Sequence, residues 1–309
     1  MDDVSGKVLV TGASGFIGSN LIDALDKAKL PVVPVGRATG GFDFCCDFSK
    51  EFDLSSILSE VDSVIHLAAV AHVKATDIEE QLIYKVNVES TVELARQAAA
   101  SGVRRFIFLS SIGVCGSSSL TPFKIGMKDS PHDLYSESKK DAEHRLKEVA
   151  AETGLELVIV RPTLVYGDGA PGNFSKLIKM VASGIPLPFS GIHNSRSFIS
   201  VFNLVDFLVL CVQHSAAAGE TFFVADAENI STAEFMEEIC KALGCPCRLF
   251  YLPSSIVLFL FSFIGKKGLY NKMFGDLEVD ISHASKMLDW VPPVSLSLGL
   301  KRSIGKSTK

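Results

Sequence analysis

Lys7-Val8-Leu9-Val10-Thr11-Gly12-Ala13-Ser14-Gly15-Phe16-Ile17-Gly18 is an apolar run closed by three evenly spaced glycines. Lys7 to Thr11 reads as a buried strand, Gly12 to Gly18 as a tight turn, and Ser19 to Lys29 as the helix that follows. Gly12 permits the turn. Gly15 lets a phosphate approach the backbone, and Gly18 lets the helix lie close on the strand. The helix N-terminus then presents free N–H groups to an anion. Strand, glycine turn and helix in this order read as the pyrophosphate cradle of a dinucleotide site; the competing reading is an ordinary glycine turn.

Outward from this unit, strands and helices alternate. Val32 to Gly36 fits a second strand, with Pro34 as a local misfit that predicts a short or bulged ladder, since proline has no N–H to give. Asp62 to Ala68, Arg105 to Leu109 and Leu155 to Val160 read as further strands, and Ile78 to Ala100 and Tyr135 to Glu152 as helices. The pattern predicts an α/β fold: a Rossmann-type parallel sheet flanked by helices, with ligands beyond the carboxyl ends of the strands. Thr11, His66, Ser110 and Arg161 fall at such ends. After about Pro162 the alternation weakens. Residues 1–165 are therefore expected to form the dinucleotide domain. Residues 166–309 form mainly a smaller α/β substrate lobe, with some elements returning to the first domain.

Composition narrows the class. The 309 residues are 47% hydrophobic and 21% charged, as in a globular protein with a sizeable core. The net charge is -5, and no basic run interleaved with aromatics occurs, so nucleic acid is not an expected partner. Seven cysteines, an odd number, argue against a disulfide framework. Cys245 and Cys247 lack a following histidine at zinc-ligand spacing, so the thiols read as reduced and metal-free. Met1-Asp2-Asp3 followed by a strand is not a signal peptide. The apolar stretch Ile256 to Ile264 is far short of the roughly 20 residues of a membrane span. It reads as a buried or partly exposed helix, with peripheral membrane contact beside Lys266 and Lys267 as the alternative. A cytoplasmic protein with no transmembrane segment is expected.

The second strand ends in Gly36-Arg37 rather than in the carboxylate that receives the adenosine ribose of NAD. A glycine leaves room and an arginine can pair with a 2′-phosphate, which favours NADP(H), with NAD(H) as the alternative. Asp47, near the end of the third strand, can accept from the adenine amine or simply hold a turn.

Tyr135 and Lys139 are four apart, on one face of a helix. A free tyrosine titrates near ~10, and a nearby ammonium favours its phenolate. Ser111 at a strand end can hydrogen-bond the oxygen whose proton moves. Asn87 can hold backbone geometry or a water near the lysine. Asp141 and Glu143 fit a solvated helix face, and Trp290 reads as a core anchor at the end of the second lobe. His66 and His72 read as structural groups or hydrogen-bond partners rather than bases. Arg196, after a Gly/Asn turn and before an apolar run, can meet a diphosphate through its planar guanidinium.

With these residues in place, the chain resembles the extended short-chain dehydrogenase/reductases, in their nucleotide-sugar epimerase/dehydratase branch. The resemblance runs through Gly12/Gly15/Gly18, His66-Leu67-Ala68-Ala69, Asn87-Val88, and Ser110-Ser111 with Val114-Cys115-Gly116. It continues through Tyr135/Lys139 and Arg161-Pro162 with Tyr166-Gly167. Cys115 replaces the usual tyrosine, and Asn203 stands where an aspartate is usual. The resemblance implies a catalytic triad of Ser111, Tyr135 and Lys139. It implies a cofactor site of Gly12, Ser14, Gly15, Phe16, Ile17, Gly18, Arg37, Asp47, Leu67, Ala68, Ala69, Asn87, Ser110 and Pro162, with Tyr135 and Lys139. A UDP-sugar would meet His72, Ser111, Tyr135, Asn173 and Arg196. A second arginine for the diphosphate is not obvious; Lys272 is the nearest stand-in.

Arg196-Ser197-Phe198-Ile199-Ser200-Val201 and Gly275-Asp276-Leu277-Glu278-Val279-Asp280 look more like the sub-branch that reduces a 4-keto sugar on UDP. Reduction of a UDP-4-keto-6-deoxy-N-acetylhexosamine by NADPH is therefore the first expectation. The alternative is a UDP-glucose or UDP-N-acetylglucosamine 4-epimerase with retained NAD, and a non-catalytic nucleotide-binding protein is the remote one. Elimination is disfavoured, because Ile112 and Gly113 stand where dehydratases carry an acidic pair. A homodimer through two helices, one bearing Tyr135, is implied as well.

Overall fold

The computed structural model describes residues 6–37, 42–71, 77–263, 265, 270 and 274–304. In chain order, the first half contains β1 (Lys7–Thr11), α1 (Phe16–Lys27), β2 (Val32–Gly36), β3 (Phe44–Cys45), α2 (Ser55–Leu58), β4 (Val61–His66) and α3 (Asp77–Tyr84). It continues with α4 (Ser90–Ala100), β5 (Arg105–Leu109), α5 (Leu134–Thr153) and β6 (Glu156–Pro162). Then follow β7 (Leu164–Tyr166), α6 (Asn173–Ala182), β8 (Arg196–Ser200), α7 (Val201–Gln213), β9 (Thr221–Val224), β10 (Asn229–Ile230), α8 (Thr232–Leu243) and α9 (Ser254–Phe263). Two more helices, Ser282–Leu288 and Leu296–Ile304, come after.

Seven parallel strands form the large sheet in the order β3-β2-β1-β4-β5-β6-β9. Period-two alternation sends Val8, Val10, Ile65, Ile107 and Val158 to one face and Leu9, Val64, Phe106, Phe108 and Ile159 to the other. Both sets are covered, as a parallel sheet requires. The chain leaves β1 in one direction to β2 and in the other to β4, which opens a crevice at the carboxyl ends of β1 and β4.

Pro34 sits in a ladder without a bulge: Val10 pairs with Pro34 and Thr11 with Val35 in unbroken register. Val8 N–H donates to Pro31 O and Ala13 N–H to Val35 O, so the odd positions of β2 face β1 and Pro34 faces away from it. β3 joins only at Val35 and Gly36, so the missing N–H lies where no third strand pairs.

The large sheet takes its last strand, β9, from beyond residue 165, and α7 covers one of its faces. Trp290 is not the anchor of the second lobe. It is buried in the core of the large sheet, edge-on to Phe207 with centroids 4.8 Å apart, and donates Nε1–H to Asp206 at 2.9 Å. The smaller lobe is built on β10-β8-β7, with Phe198 stacked on Phe235 at 4.1 Å. Phe16 packs against both cores and marks where they meet. In α9, Val257 is buried while Phe259 and Phe263 are 66% and 82% exposed. Ile264, Lys266 and Lys267 lie outside the described residues. Among the described residues, no helix is long and apolar enough to cross a membrane.

Candidate active site

The glycine turn is built by close contact. Gly12 adopts φ +68°, and a Cβ there would lie 2.9 Å from Ala68 N. At Gly18 a Cβ would lie 2.2 Å from Gly12 O and 2.8 Å from the Ala13 Cα. Helix α1 therefore crosses directly over the end of β1. Gly15 occupies its N-cap, and no side chain caps the helix there. Its first N–H groups are directed past the turn, an arrangement suited to a diphosphate. A cavity of about 290 Å³ opens beside them, lined by Gly12, Ser14 and Gly15, by Arg37 and Asp47, and by Leu67 to Val70. Uncapped helix, glycine cradle and elongated cavity fit the adenosine diphosphate half of a nicotinamide dinucleotide. Ile17 follows in the first turn of α1, half-buried against the core of the large sheet.

Gly36 packs against Phe42, where a Cβ would lie 2.4 Å from the ring's Cδ2, and it lines the cavity together with Arg37. Arg37 is exposed at the cavity edge. Asp47 accepts from Ser49 N–H at 3.1 Å and Ser49 O–H at 2.6 Å, bonds that hold its carboxyl below the usual range.

Below the cavity, Thr11 and His66 join neighbouring strand ends. His66 Nδ1 lies 2.7 Å from Thr11 Oγ1, and its Nε2 lies 3.0 Å from Thr91 Oγ1. Thr11 Oγ1 also accepts from the N–H groups of Leu67 and Ala68 at 3.2 and 3.3 Å. Burial, reinforced by the Lys139 charge, pushes His66 down to about 3. The ring is thus a neutral strut and no acid–base group. Because the unfolded imidazole titrates near 6.5, stability is unaffected by His66 above that pH and falls as pH drops toward 3. Chemical denaturation from pH 7 to 4 is expected to show a slope of up to about 1.4 kcal/mol per pH unit from this residue, absent in folded His66→Asn.

The predicted helix over 78–100 is interrupted by a π-helical turn, Lys85–Glu89, which carries Asn87. Asn87 clasps the backbone of Val70, accepting from its N–H at 2.8 Å and donating to its C=O at 3.0 Å. Its amide also donates to Ser138 Oγ, whose hydroxyl donates to Tyr135 O at 2.8 Å. Asn87 thereby ties the cavity wall to the helix bearing Tyr135.

Ser111 follows β5 and caps a short 3-10 turn, its Oγ accepting from Gly113 N–H at 3.1 Å. A Cβ on Gly113 would lie 2.5 Å from Ser136 Oγ, so this turn abuts the first turn of α5 beside Tyr135. Asp133 caps that helix through Ser136 N–H at 3.0 Å. Lys139 is buried; its Nζ donates to Leu109 O at 2.8 Å, sits 4.4 Å from the Phe108 ring centroid and 5.9 Å from that of Tyr135. Desolvation, with the Asp133 charge, pushes the half-buried Tyr135 phenol up to about 12, while burial pulls Lys139 down to about 7 against the opposing pull of Glu143. The raised phenol reflects burial and the Asp133 charge. Ser111, Tyr135 and Lys139 lie outside the lining of the cavity, further along the same carboxyl edge.

Glu143 does not belong to a solvated face. It is buried, accepts from Ser110 Oγ, and pairs with Arg161 through Nε at 2.9 Å and Nη2 at 2.5 Å. Arg161 also holds Asp129 at 2.9 and 3.1 Å and meets Cys115 Sγ at 3.2 Å. Ser110, expected at the cofactor, is buried in this network. Sequence reading placed Thr11 at a strand end but missed Glu143 as a site-builder. The available signal for Glu143 was its spacing, since residues 135, 139 and 143 share one helical face.

In the second lobe Arg196 opens β8, is buried, and donates Nη1–H to Gly275 O at 2.6 Å. Burial lowers its guanidinium below the ordinary value. Asn173 is the first residue of α6. Pro162 ends β6 and pairs with Val224 of β9. Asn203 grips Asp226 and both backbone groups of Val294, and Tyr166 O–H donates to Asp226, so this unusual asparagine is structural. His72 and Lys272 lie outside the described residues.

Comparison with known proteins matches residues 8–225 to the NAD dependent epimerase/dehydratase family. A UDP-glucose 4-epimerase of Vibrio cholerae is 39% identical over 307 residues, covering 96% of this chain and 94% of that one. An N-acetyl-alpha-D-glucosaminyl-diphospho-ditrans,octacis-undecaprenol 4-epimerase of Escherichia coli O157:H7 is 27% identical, with the same coverage of 96% and 94%. The crystal structure of UDP-glucuronic acid 4-epimerase from Bacillus cereus, in complex with UDP-glucuronic acid and NAD, has a TM-score of 0.77 at 25% identity, over 97% of this chain and 98% of that one. With the family match over residues 8–225 and a relative 39% identical over nearly the whole chain, the protein belongs to the NAD dependent epimerase/dehydratase family.

Proposed function

We propose that this protein is an NAD-dependent 4-epimerase of a diphosphate-linked sugar, with UDP-glucose or UDP-N-acetylglucosamine as first candidates. The observation that carries the reading is Lys139 of α5, beside the Tyr135 ring and bonded to Leu109 O two residues before Ser111, in a fold whose β1–α1 turn makes a cradle suited to a dinucleotide. Epimerisation replaces the reduction expected first. The likeness to 4-epimerases is spread over nearly the whole chain. NAD, which the Bacillus cereus neighbour holds, replaces NADP(H) as the favoured cofactor.

A nicotinamide bound here supplies reversible hydride acceptance at the sugar C4. Tyr135 takes the proton of the C4 hydroxyl and later returns it to the ketone oxygen. Ser111 donates to that same oxygen where negative charge develops. Lys139, fixed on Leu109 O, holds the neighbouring ribose and places its ammonium beside the phenol. The positive charge that offsets the buried phenol's raised pKa comes from Lys139 together with the oxidised ring. Arg196 of the second lobe is the group proposed to meet the diphosphate, turning remote binding into orientation.

The deciding assay uses the purified chain without added reductant. It is offered UDP-glucose, UDP-N-acetylglucosamine, UDP-glucuronic acid and a polyprenyl-diphosphate-linked N-acetylglucosamine, and C4 epimers are sought by NMR. A parallel arm offers NADPH with a UDP-4-keto-6-deoxy-N-acetylhexosamine and follows nicotinamide absorbance. Epimer formation with protein-retained NAD is expected. Stoichiometric NADPH oxidation without any epimer would overturn the proposal in favour of a 4-reductase. A homodimer through α3 and α5 accompanies this reading. Ile78 and Leu82 of α3 are exposed at 81% and 37%, and Arg145 of α5 bonds Tyr84 beside them. Sedimentation at micromolar concentration is expected to give twice the chain mass.

A further inference from the structure

We propose that Glu143 is a positioning residue that sets the catalytic helix against the strand end bearing Ser111. The proposal rests on the reading of Ser111, Tyr135 and Lys139 as the reacting groups. Helix α5 carries Tyr135, Lys139 and Glu143 at successive turns of one face. Lys139 grips Leu109 through its carbonyl, and Glu143 grips Ser110 through its hydroxyl. Those are the two residues directly before Ser111. The helix thus holds β5 at two consecutive points, and the next residue along is the hydroxyl that must face the Tyr135 oxygen.

Glu143 is itself held from a third side. Arg161 of β6 binds both carboxylate oxygens and anchors its other edge on Asp129. A carboxylate locked at both oxygens cannot swing, so the Ser110 bond is made in one geometry. A solvated helix face needs none of this, and burying a charge there is costly unless its partners are all supplied. The arrangement gains nothing in packing that an apolar residue would not give. What it adds is register between two elements that each carry part of the reacting set.

The second effect is electrostatic. Around Lys139 stand Tyr135 and Glu143 from its own helix, the Leu109 carbonyl and Phe108 ring from β5, and neutral His66 from β4. Among these charged and titratable neighbours, Glu143 is the group that favours the protonated lysine, against a burial that pulls it down. Glu143→Gln keeps the size but removes the charge, so the lysine loses its proton at lower pH.

The test measures kcat, KM, retained NAD and the pH profile in Glu143→Gln and Ser110→Ala. Ser110→Ala leaves the Arg161–Glu143 pair in place and removes only the grip on the strand end. In Glu143→Gln, kcat is expected to fall on the order of 100-fold, as a small misplacement of reacting groups does. KM and NAD content stay within about twofold, and the alkaline limb of the profile moves to lower pH. Ser110→Ala shows a smaller loss in kcat, with NAD content and the alkaline limb unchanged. Wild-type kcat and pH profile in folded Glu143→Gln overturn the proposal. If that variant does not fold, wild-type kcat in folded Ser110→Ala overturns it, and a loss in kcat at unchanged NAD content supports it. Tyr135→Phe is run in parallel: turnover surviving there sinks the acid–base reading itself. Abolished turnover there with both other variants at wild-type rates sinks only the positioning role.

Discussion

Tyr135→Phe is expected to lower kcat by about 100- to 10,000-fold, the range general acid–base catalysis supplies. Cofactor content and substrate KM should change little. The substitution removes one oxygen from a half-buried ring and leaves the helix cap at Asp133, the Ser138 bond to the Tyr135 carbonyl and the Lys139 anchor on Leu109 intact. Folding is therefore preserved, and thermal denaturation should match wild type within about 2–4 °C. The loss falls on kcat because the phenol oxygen acts only when a proton moves. With the general base gone, a residual rate is expected to rise with pH as solvent hydroxide substitutes for it. An unchanged kcat in a folded Tyr135→Phe protein would remove the basis for assigning chemistry to this edge of the sheet.

The second large effect is at Gly18. A methyl group there meets backbone, at 2.2 Å from Gly12 O and 2.8 Å from the Ala13 Cα, and backbone cannot rotate aside as a side chain would. Gly18→Ala must lift α1 off β1, disturbing the packing of Leu21 and Leu25 on Val8 and Val10. A cost of about 1–3 kcal/mol or more is expected from this overpacking, with NAD retention abolished. Gly15→Ala is the informative contrast. Its Cβ would lie 3.1 Å from Gly12 O and its φ of −76° suits any residue, so the fold should survive while the diphosphate is crowded. Melting temperature and bound NAD, measured together, separate the two outcomes. Equal melting temperatures for wild type and Gly18→Ala would show that the helix does not rest on the strand as described.

The first strand, its turn and the helix after it were legible because their signals are local: alternation, three glycines and a helix start within a dozen residues. Tyr135 and Lys139 were legible for the same reason, being one helical turn apart. Glu143 has that same local spacing, yet its burial depends on Arg161 arriving from β6 and Ser110 from β5, and no local pattern encodes those partners. The bulge expected at Pro34 did not form because β3 is only two residues long and joins past the proline, a fact of the neighbouring strand rather than of β2. Gly36 looked open because its neighbour Phe42 is six residues away in sequence and turns back onto it. The leaning to NADP(H) rested on Gly36 and Arg37 alone, and the neighbour bound to NAD does not support it. Trp290 was recognised as an anchor but assigned to the wrong half, since hydrophobicity says that a residue is buried and not which surface it meets.

The position of Trp290 has a further consequence for how the chain can be divided. The face of the large sheet that receives α1 is finished by α7 and by an indole far along the chain from β1. Without β9 alongside it, β6 is an open edge. A fragment cut at residue 165 is therefore expected to leave an apolar slab of the sheet bare and to aggregate, where the whole chain stays dispersed.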